Sequence, residues 1–114
     1  MYKIIKSLNH DAKLNNKEEG EMIITNLADF DAFNPNVRFF SLIHLKPGEE
    51  VKYHTHEGES ETYFFLSGKG IYNDNGNYVE AVSGMVALTS SGEGHSLKNT
   101  GNEMLVFIAL IILD

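Results

Sequence analysis

Gly48-Glu49-Glu50-Val51-Lys52-Tyr53-His54-Thr55-His56-Glu57-Gly58-Glu59-Ser60-Glu61 is the stretch on which the reading of this chain turns. Residues 50–56 read as a strand, and strand side chains alternate faces with a period of two, so His54 and His56 share one side. Glu61-Thr62-Tyr63-Phe64-Phe65-Leu66 reads as a second strand. The intervening Glu57-Gly58-Glu59-Ser60 is polar and contains a glycine, which predicts a hairpin connection. Folded that way, His54, His56 and Glu61 converge on one face. Two imidazoles and a carboxylate so arranged suit a divalent transition metal.

Outward from this stretch the chain is punctuated by turns. Val37 to Leu45 is a β-prone run stopped by Pro47-Gly48, and 61–66 ends at Ser67-Gly68-Lys69-Gly70. Ile71-Tyr72-Asn73 and Tyr78 to Val82 flank Asn75-Gly76, a strong hairpin signal. Met85 to Thr89, His95 to Asn99 and Glu103 to Leu113 complete about eight short strands, the pattern of an all-β sandwich or barrel. Residues 1–36 read as an N-terminal arm and a first strand near Met22-Ile23-Ile24-Thr25, with 37–114 as the barrel core of one domain. Residues 1–21 are polar, with Asn15 to Gly20 a surface loop and His10 a solvated histidine, and 26–36 is a connection with room for one short turn. The last strand is apolar on both faces, so one face should pack inward and the other against a partner or the arm.

A chain of 114 residues supports one core. Its net charge of −7, with Arg38 the only arginine, argues against nucleic acid, which demands clustered cations. The absence of cysteine excludes thiolate chemistry and zinc-thiolate sites. The start of the chain lacks the apolar core of a signal peptide, and Met104 to Leu113 is too short to span a bilayer as a helix. A soluble cytoplasmic protein with no membrane partner is the expectation.

His95, after Gly92-Glu93-Gly94, is a fourth candidate ligand, and four ligands leave about two positions of an octahedron open. Gly48-x5-His54-x-His56-x4-Glu61-x6-Gly68 resembles the first motif of the cupin superfamily without a mismatch. Gly84-x5-Ser90-x-Gly92-x2-His95-x3-Asn99 resembles the second, departing only at Ser90, where that family has proline. The resemblance runs from 48 to 99 and implies a double-stranded β-helix, or jelly-roll barrel. It also implies that His54, His56, Glu61 and His95 bind one divalent metal (Mn, Fe, Ni, Co or Zn) in the barrel interior. Ser90 removes a fixed φ before His95, so a looser loop is expected there.

Around this centre, Tyr63 and Phe65 share the inward parity of Glu61, and Leu97 and Asn99 that of His95. Asn99 is expected to support its strand rather than touch a ligand. Ser41 and Ile43 line the wall if odd positions of their strand face in, which turns His44 outward to the surface. On the last strand either Met104, Val106 and Ile108 or Leu105, Phe107 and Ala109 face inward; the resemblance favours the first set. Lys52 shares the parity of His54 and reads as a surface lysine near the mouth.

Two function classes follow. One is an enzyme, a dioxygenase, decarboxylase or isomerase acting on a small oxygen-bearing molecule; Tyr63 is then the candidate acid–base residue. The other is a non-catalytic module binding or sensing a small ligand or metal. Edge-strand pairing of small cupins and the apolar last strand both point to a homodimer.

Overall fold

The computed structural model describes residues 12–15, 22–27 and 34–114, and among them every regular element is a strand. In chain order these are β1 (Ala12–Asn15), β2 (Met22–Asn26), β3 (Val37–Leu45), β4 (Glu50–Thr55) and β5 (Glu59–Ser67). They are followed by β6 (Lys69–Asp74), β7 (Asn77–Val82), β8 (Val86–Thr89), β9 (Gly94–Asn99) and β10 (Leu105–Leu113). One antiparallel sheet has six strands in the order β1-β2-β3-β10-β5-β8; the other has four in the order β4-β9-β6-β7. Their inner faces enclose one core, as the jelly-roll expectation requires.

Registers across the six-stranded sheet explain which residues fill that core. Phe107 lies opposite both Ile43 and Phe65, Ala109 opposite Ser41 and Tyr63, and Ile111 opposite Phe39 and Glu61. Directly opposed residues in antiparallel strands share a face. Leu105, Phe107 and Ala109 are therefore the inward set of β10, and all three are fully buried. This corrects the expected placement of Val106 and Ile108: both are only half-buried and occupy the other face, while Met104 precedes the strand. A strand apolar on both sides carries no parity signal of its own, so its neighbours decide.

The connection after His56 also differs from the sequence expectation. β4 pairs with β9 in the four-stranded sheet, whereas β5 pairs with β10 and β8 in the six-stranded one. Residues 56–58 therefore carry the chain between sheets instead of turning a hairpin. At the N-terminal side, Ala12–Asn15 is a strand paired with β2 where an arm was expected; His10 and residues 16–20 lie outside the described residues. The short turn anticipated before β3 is present, with Val37 N donating to Asn34 O at 3.0 Å.

Two glycines are required by the backbone. Gly68 (φ +86°) is the single residue between β5 and β6, where the chain again changes sheets, and a Cβ there would collide with backbone of Met104 and Leu105. Gly76 (φ 95°) follows Asn75 (φ 51°) in a two-residue hairpin with Asp74 opposite Asn77. Positive φ at both central residues is the signature of the turn that Asn-Gly predicts. No helix among the described residues is long and apolar enough to cross a membrane.

Candidate metal centre

The histidines of β4 reach the interior because the strand is bulged. Val51 pairs with Leu97 and His54 with His95, so three steps on β4 match two on β9. The extra residue switches parity. Val51 stays in the core and His54 also turns inward, whereas an unbulged strand that buried Val51 would present His54 to solvent. Lys52 and Tyr53 occupy the bulge and are exposed, so Lys52 does not enter the site. His56 follows the strand end and is held by two backbone hydrogen bonds, its N donating to Glu93 O at 3.0 Å and its O accepting from Gly92 N at 2.7 Å.

His54, His56 and His95 thus come from the four-stranded sheet side and Glu61 from the six-stranded sheet, and one ligand atom of each lies within 4.8 Å of the others. His95 Nε2 stands 3.1 Å from His54 Nε2 and 3.2 Å from His56 Nε2. Glu61 Oε1 lies 2.9 Å from the Nε2 atoms of both His56 and His95, but 3.9 Å from that of His54. Donors about 2.1 Å from an octahedral ion sit about 3.0 Å apart when adjacent and about 4.2 Å when opposite. Four of the donor contacts, at 2.9–3.2 Å, approach the spacing of neighbouring donors on one ion, while Glu61 Oε1 and His54 Nε2 stand further apart.

The outer ring nitrogens explain why the inner ones point inward. His54 Nδ1 lies 2.7 Å from the carbonyl of Lys52, and His56 Nδ1 lies 2.6 Å from Glu59 Oε2. Carbonyl and carboxylate oxygens only accept, so Nδ1 carries the proton in both rings and a neutral ring keeps its lone pair on Nε2. His95 Nδ1 is met by Tyr72 Oη at 2.8 Å and Thr89 Oγ1 at 2.9 Å, both buried. Burial pushes the Tyr72 hydroxyl up to about 12 against the opposing hydrogen bond from Thr89, so it keeps its proton. Outer partners of this kind orient and tune metal-binding histidines.

Glu61 is the anionic member. Burial pushes its carboxyl upward, but the facing imidazoles of His54, His95 and His56 outweigh burial and hold it at about 2. No well-aligned hydrogen bond reaches its buried Oε1, although imidazole nitrogens stand 2.9 Å away, and it is the protonated forms of those rings that lower the carboxyl. A buried carboxylate oxygen without a well-aligned donor, facing three imidazole nitrogens of which those of His54 and His56 turn lone pairs inward, is a site that a cation would complete. The donor set therefore fits a divalent metal ion.

The other sequence candidates separate into three groups. Tyr63 and Phe65 are buried, and Tyr63 stacks on His95 with ring centroids 4.9 Å apart, inside an aromatic cluster with Phe65, Tyr72 and Phe107. Ser41, Ile43 and Leu97 are buried as expected, Ser41 Oγ donating to Asn26 Oδ1 at 3.0 Å. Asn99 is buried four residues along β9 from His95, about 13 Å at strand rise, too far to line the site. Its Nδ2 donates to the carbonyls of Leu45 and Glu103 at 2.7 and 2.8 Å, the supporting role anticipated for it. His44 faces outward but is half-buried rather than a free surface histidine, with Nδ1 enclosed and unpartnered.

Ser90 does more than omit a proline. Its N–H, which proline would lack, donates to Glu93 Oε1 at 2.8 Å, while Glu93 N donates back to Ser90 O at 3.0 Å. Ser91 Oγ accepts from Gly58 N at 2.9 Å. The loop before His95 is thus pinned by hydrogen bonds that replace the expected looseness. Glu59, Tyr72 and Thr89 were not singled out by the sequence reading. Only Glu59 left a local trace, an acid three residues after His56.

Residues 41–111 match the family described as the Cupin domain. An oxalate-binding protein of Thermotoga maritima is 44% identical over 95 residues, covering 83% of this chain and 78% of the relative. A crystal structure from Thermotoga maritima, described as a predicted oxalate decarboxylase, superposes with a TM-score of 0.90 at 37% identity, covering 98% of this chain and 100% of that one. A Cupin 2 conserved barrel domain protein from Salinispora arenicola, 20% identical with a TM-score of 0.73 and covering 90% of this chain and 81% of that one, shares the fold. Motif spacing, barrel topology and these likenesses agree, and the chain belongs to the cupin family.

Proposed function

We propose that His54, His56, Glu61 and His95 hold one divalent transition metal ion (Mn, Fe, Ni, Co or Zn), and that the pocket binds a small oxygen-bearing chelator of the oxalate type. The observation that carries this reading is the convergence of three Nε2 atoms on Glu61 Oε1, which has no well-aligned donor. When bound, such an ion supplies a positive centre that attracts and polarises carboxylate oxygens.

The chain's own residues argue for the ligand class. Four protein donors would leave about two positions of a six-coordinate ion open, which suits a ligand that offers two oxygens. Glu61 is ionised at neutral pH, so the pocket without a cation repels a dianion. Binding should then depend on metal. Tyr63 and Phe65 form an apolar floor that excludes water, and the small Ser41, Ala87 and Ala109 share the sheet row of Tyr63, beside Glu61. The names of the two Thermotoga maritima relatives support oxalate as the first ligand to test.

Binding is favoured over turnover because, among the described residues, Tyr72 and Glu59 beside the ligands are already engaged by His95 and Thr89 and by Arg38 and His56, which leaves Tyr63 as the acid–base candidate in the buried shell. Calorimetric titration of oxalate into metal-loaded and chelator-treated protein tests the reading. Saturable binding confined to the loaded protein is expected; equal binding by both, or by neither, contradicts it. Assaying carbon dioxide and formate in the same samples decides between the binding module and the decarboxylase.

We also infer a homodimer built on the outer face of the six-stranded sheet. Phe64 and Leu66 of β5, Val86 and Leu88 of β8 and Ile112 of β10 are all exposed there, a wider apolar surface than scattered residues would give.

A further inference from the structure

Glu59 stands outside the four-donor cluster, at the start of β5, and its two carboxylate oxygens have different tasks. Oε1 accepts from Arg38 Nε at 2.7 Å, and Oε2 accepts from Arg38 Nη2 at 2.9 Å. The same Oε2 lies 2.6 Å from Nδ1 of buried His56. A two-pronged guanidinium–carboxylate pair fixes the plane of the carboxylate as well as its position.

The strand register helps to build this pair. β10 separates β3 from β5, and where it leaves them its pairing with β3 slips: Ile111 is opposite Phe39 and Ile112 is opposite Val37. Arg38 is thereby left out of the register, at the end of β10 where Leu113 pairs with Glu59. The chain's only arginine thus spans the intervening strand to grip Glu59. As a half-exposed ion pair the contact contributes little stability. Its geometric consequence is larger, because it aims Oε2 at a ring nitrogen of the site.

We propose that Arg38 and Glu59 are positioning residues for His56: the guanidinium fork holds Glu59 Oε2 on Nδ1–H, which keeps the Nε2 lone pair turned into the cluster. The consequence for cation binding rests on the metal-site reading above, whereas the tautomer itself is a property of the metal-free chain. The outer nitrogens of His54 and His95 use other partners, so the direct effect falls on His56 and reaches His95 only through the 3.2 Å contact between their Nε2 atoms.

Two variants separate this role from simple support of the barrel. In Glu59→Gln the amide oxygen answers the Arg38 fork and the amide nitrogen faces His56 Nδ1, which favours the Nε2–H tautomer. Arg38→Met frees Glu59 to rotate without touching a buried group. Histidine-selective 15N labelling with long-range 1H–15N correlation, in metal-free protein at alkaline pH, reports which ring nitrogen carries each proton. The wild type should show Nδ1–H at His56. Glu59→Gln should move His56, but not His54, towards Nε2–H and lower Co(II) affinity about 10–100-fold. Arg38→Met should act in the same direction with smaller size, and it carries the test if Glu59→Gln does not fold. An unchanged His56 tautomer in the folded variants, or Co(II) affinity within about twofold of the wild type when the wild type binds Co(II), overturns the proposal. If the wild type binds no Co(II) while the tautomer shifts as described, the metal reading fails and the positioning role stands.

Discussion

The two ends of the barrel interior are built on opposite principles. At one end Leu45, Leu105, Phe65, Phe107, Leu97 and Val51 pack together, with buried Asn99 beside them satisfied by the carbonyls of Leu45 and Glu103. At the other, His56, His95, Glu61, Thr89 and the Tyr72 hydroxyl are buried together. Apolar burial stabilises the fold, whereas burying titratable groups costs free energy unless each finds a partner. Every outer nitrogen of the three histidines has one, yet Glu61 Oε1, where the inner atoms converge, has no well-aligned donor. The apolar end therefore holds the barrel together, and it supports an end that is arranged for a ligand at the expense of stability.

This contrast is broken most severely by His54→Ala/His56→Ala, which removes two of four donors. Cation affinity should fall by more than the roughly 10–100-fold typical of losing an outer partner. Circular dichroism should show the barrel still folded, because the strands are held elsewhere. The mirror experiment is Phe107→Ala at the apolar end. Denaturant titration should record a loss of about 3–5 kcal/mol, with cation stoichiometry unchanged in the folded protein.

A subtler separation comes from acid. The folded Glu61 carboxyl titrates at about 2 against an ordinary 4.5, so its contribution to stability is present above the unfolded value and is lost as pH falls through the folded one. In metal-free protein that contribution is on the order of 3 kcal/mol. Glu61→Gln should flatten the decline in stability between those two pH values; an identical decline in the variant would assign it to other groups. The smallest effect on the fold belongs to the outer face. Leu88→Lys should change monomer stability by no more than about 0.5 kcal/mol, while sedimentation shows a shift from dimer to monomer. An unchanged sedimentation coefficient would remove this face from the interface.

Much of the site was legible because ligand spacing survives folding errors. His54, His56, Glu61 and His95 were identified although the connection expected between β4 and β5 is wrong. A hairpin and a crossover between facing sheets both bring Glu61 to the histidines, and sequence distance cannot tell them apart. The bulge on β4 was hidden for a similar reason: parity counted from His54 is right for the histidines, but it wrongly groups Lys52 with them. Asn75-Gly76 was readable because its backbone demand is local. The inward set of β10 was not, since Phe107 is selected over Val106 by its neighbours Phe65 and Ile43. Tyr72 and Thr89 left no trace, as nothing in their flanking residues announces a bond to His95.

The most direct test is calorimetric titration of Co(II) into chelator-treated protein, wild type beside His54→Ala/His56→Ala. One ion per chain for the wild type, with that heat abolished in the variant, is the expected result. No binding by the wild type, or one ion per chain in both proteins, would contradict a cation held by His54, His56, Glu61 and His95.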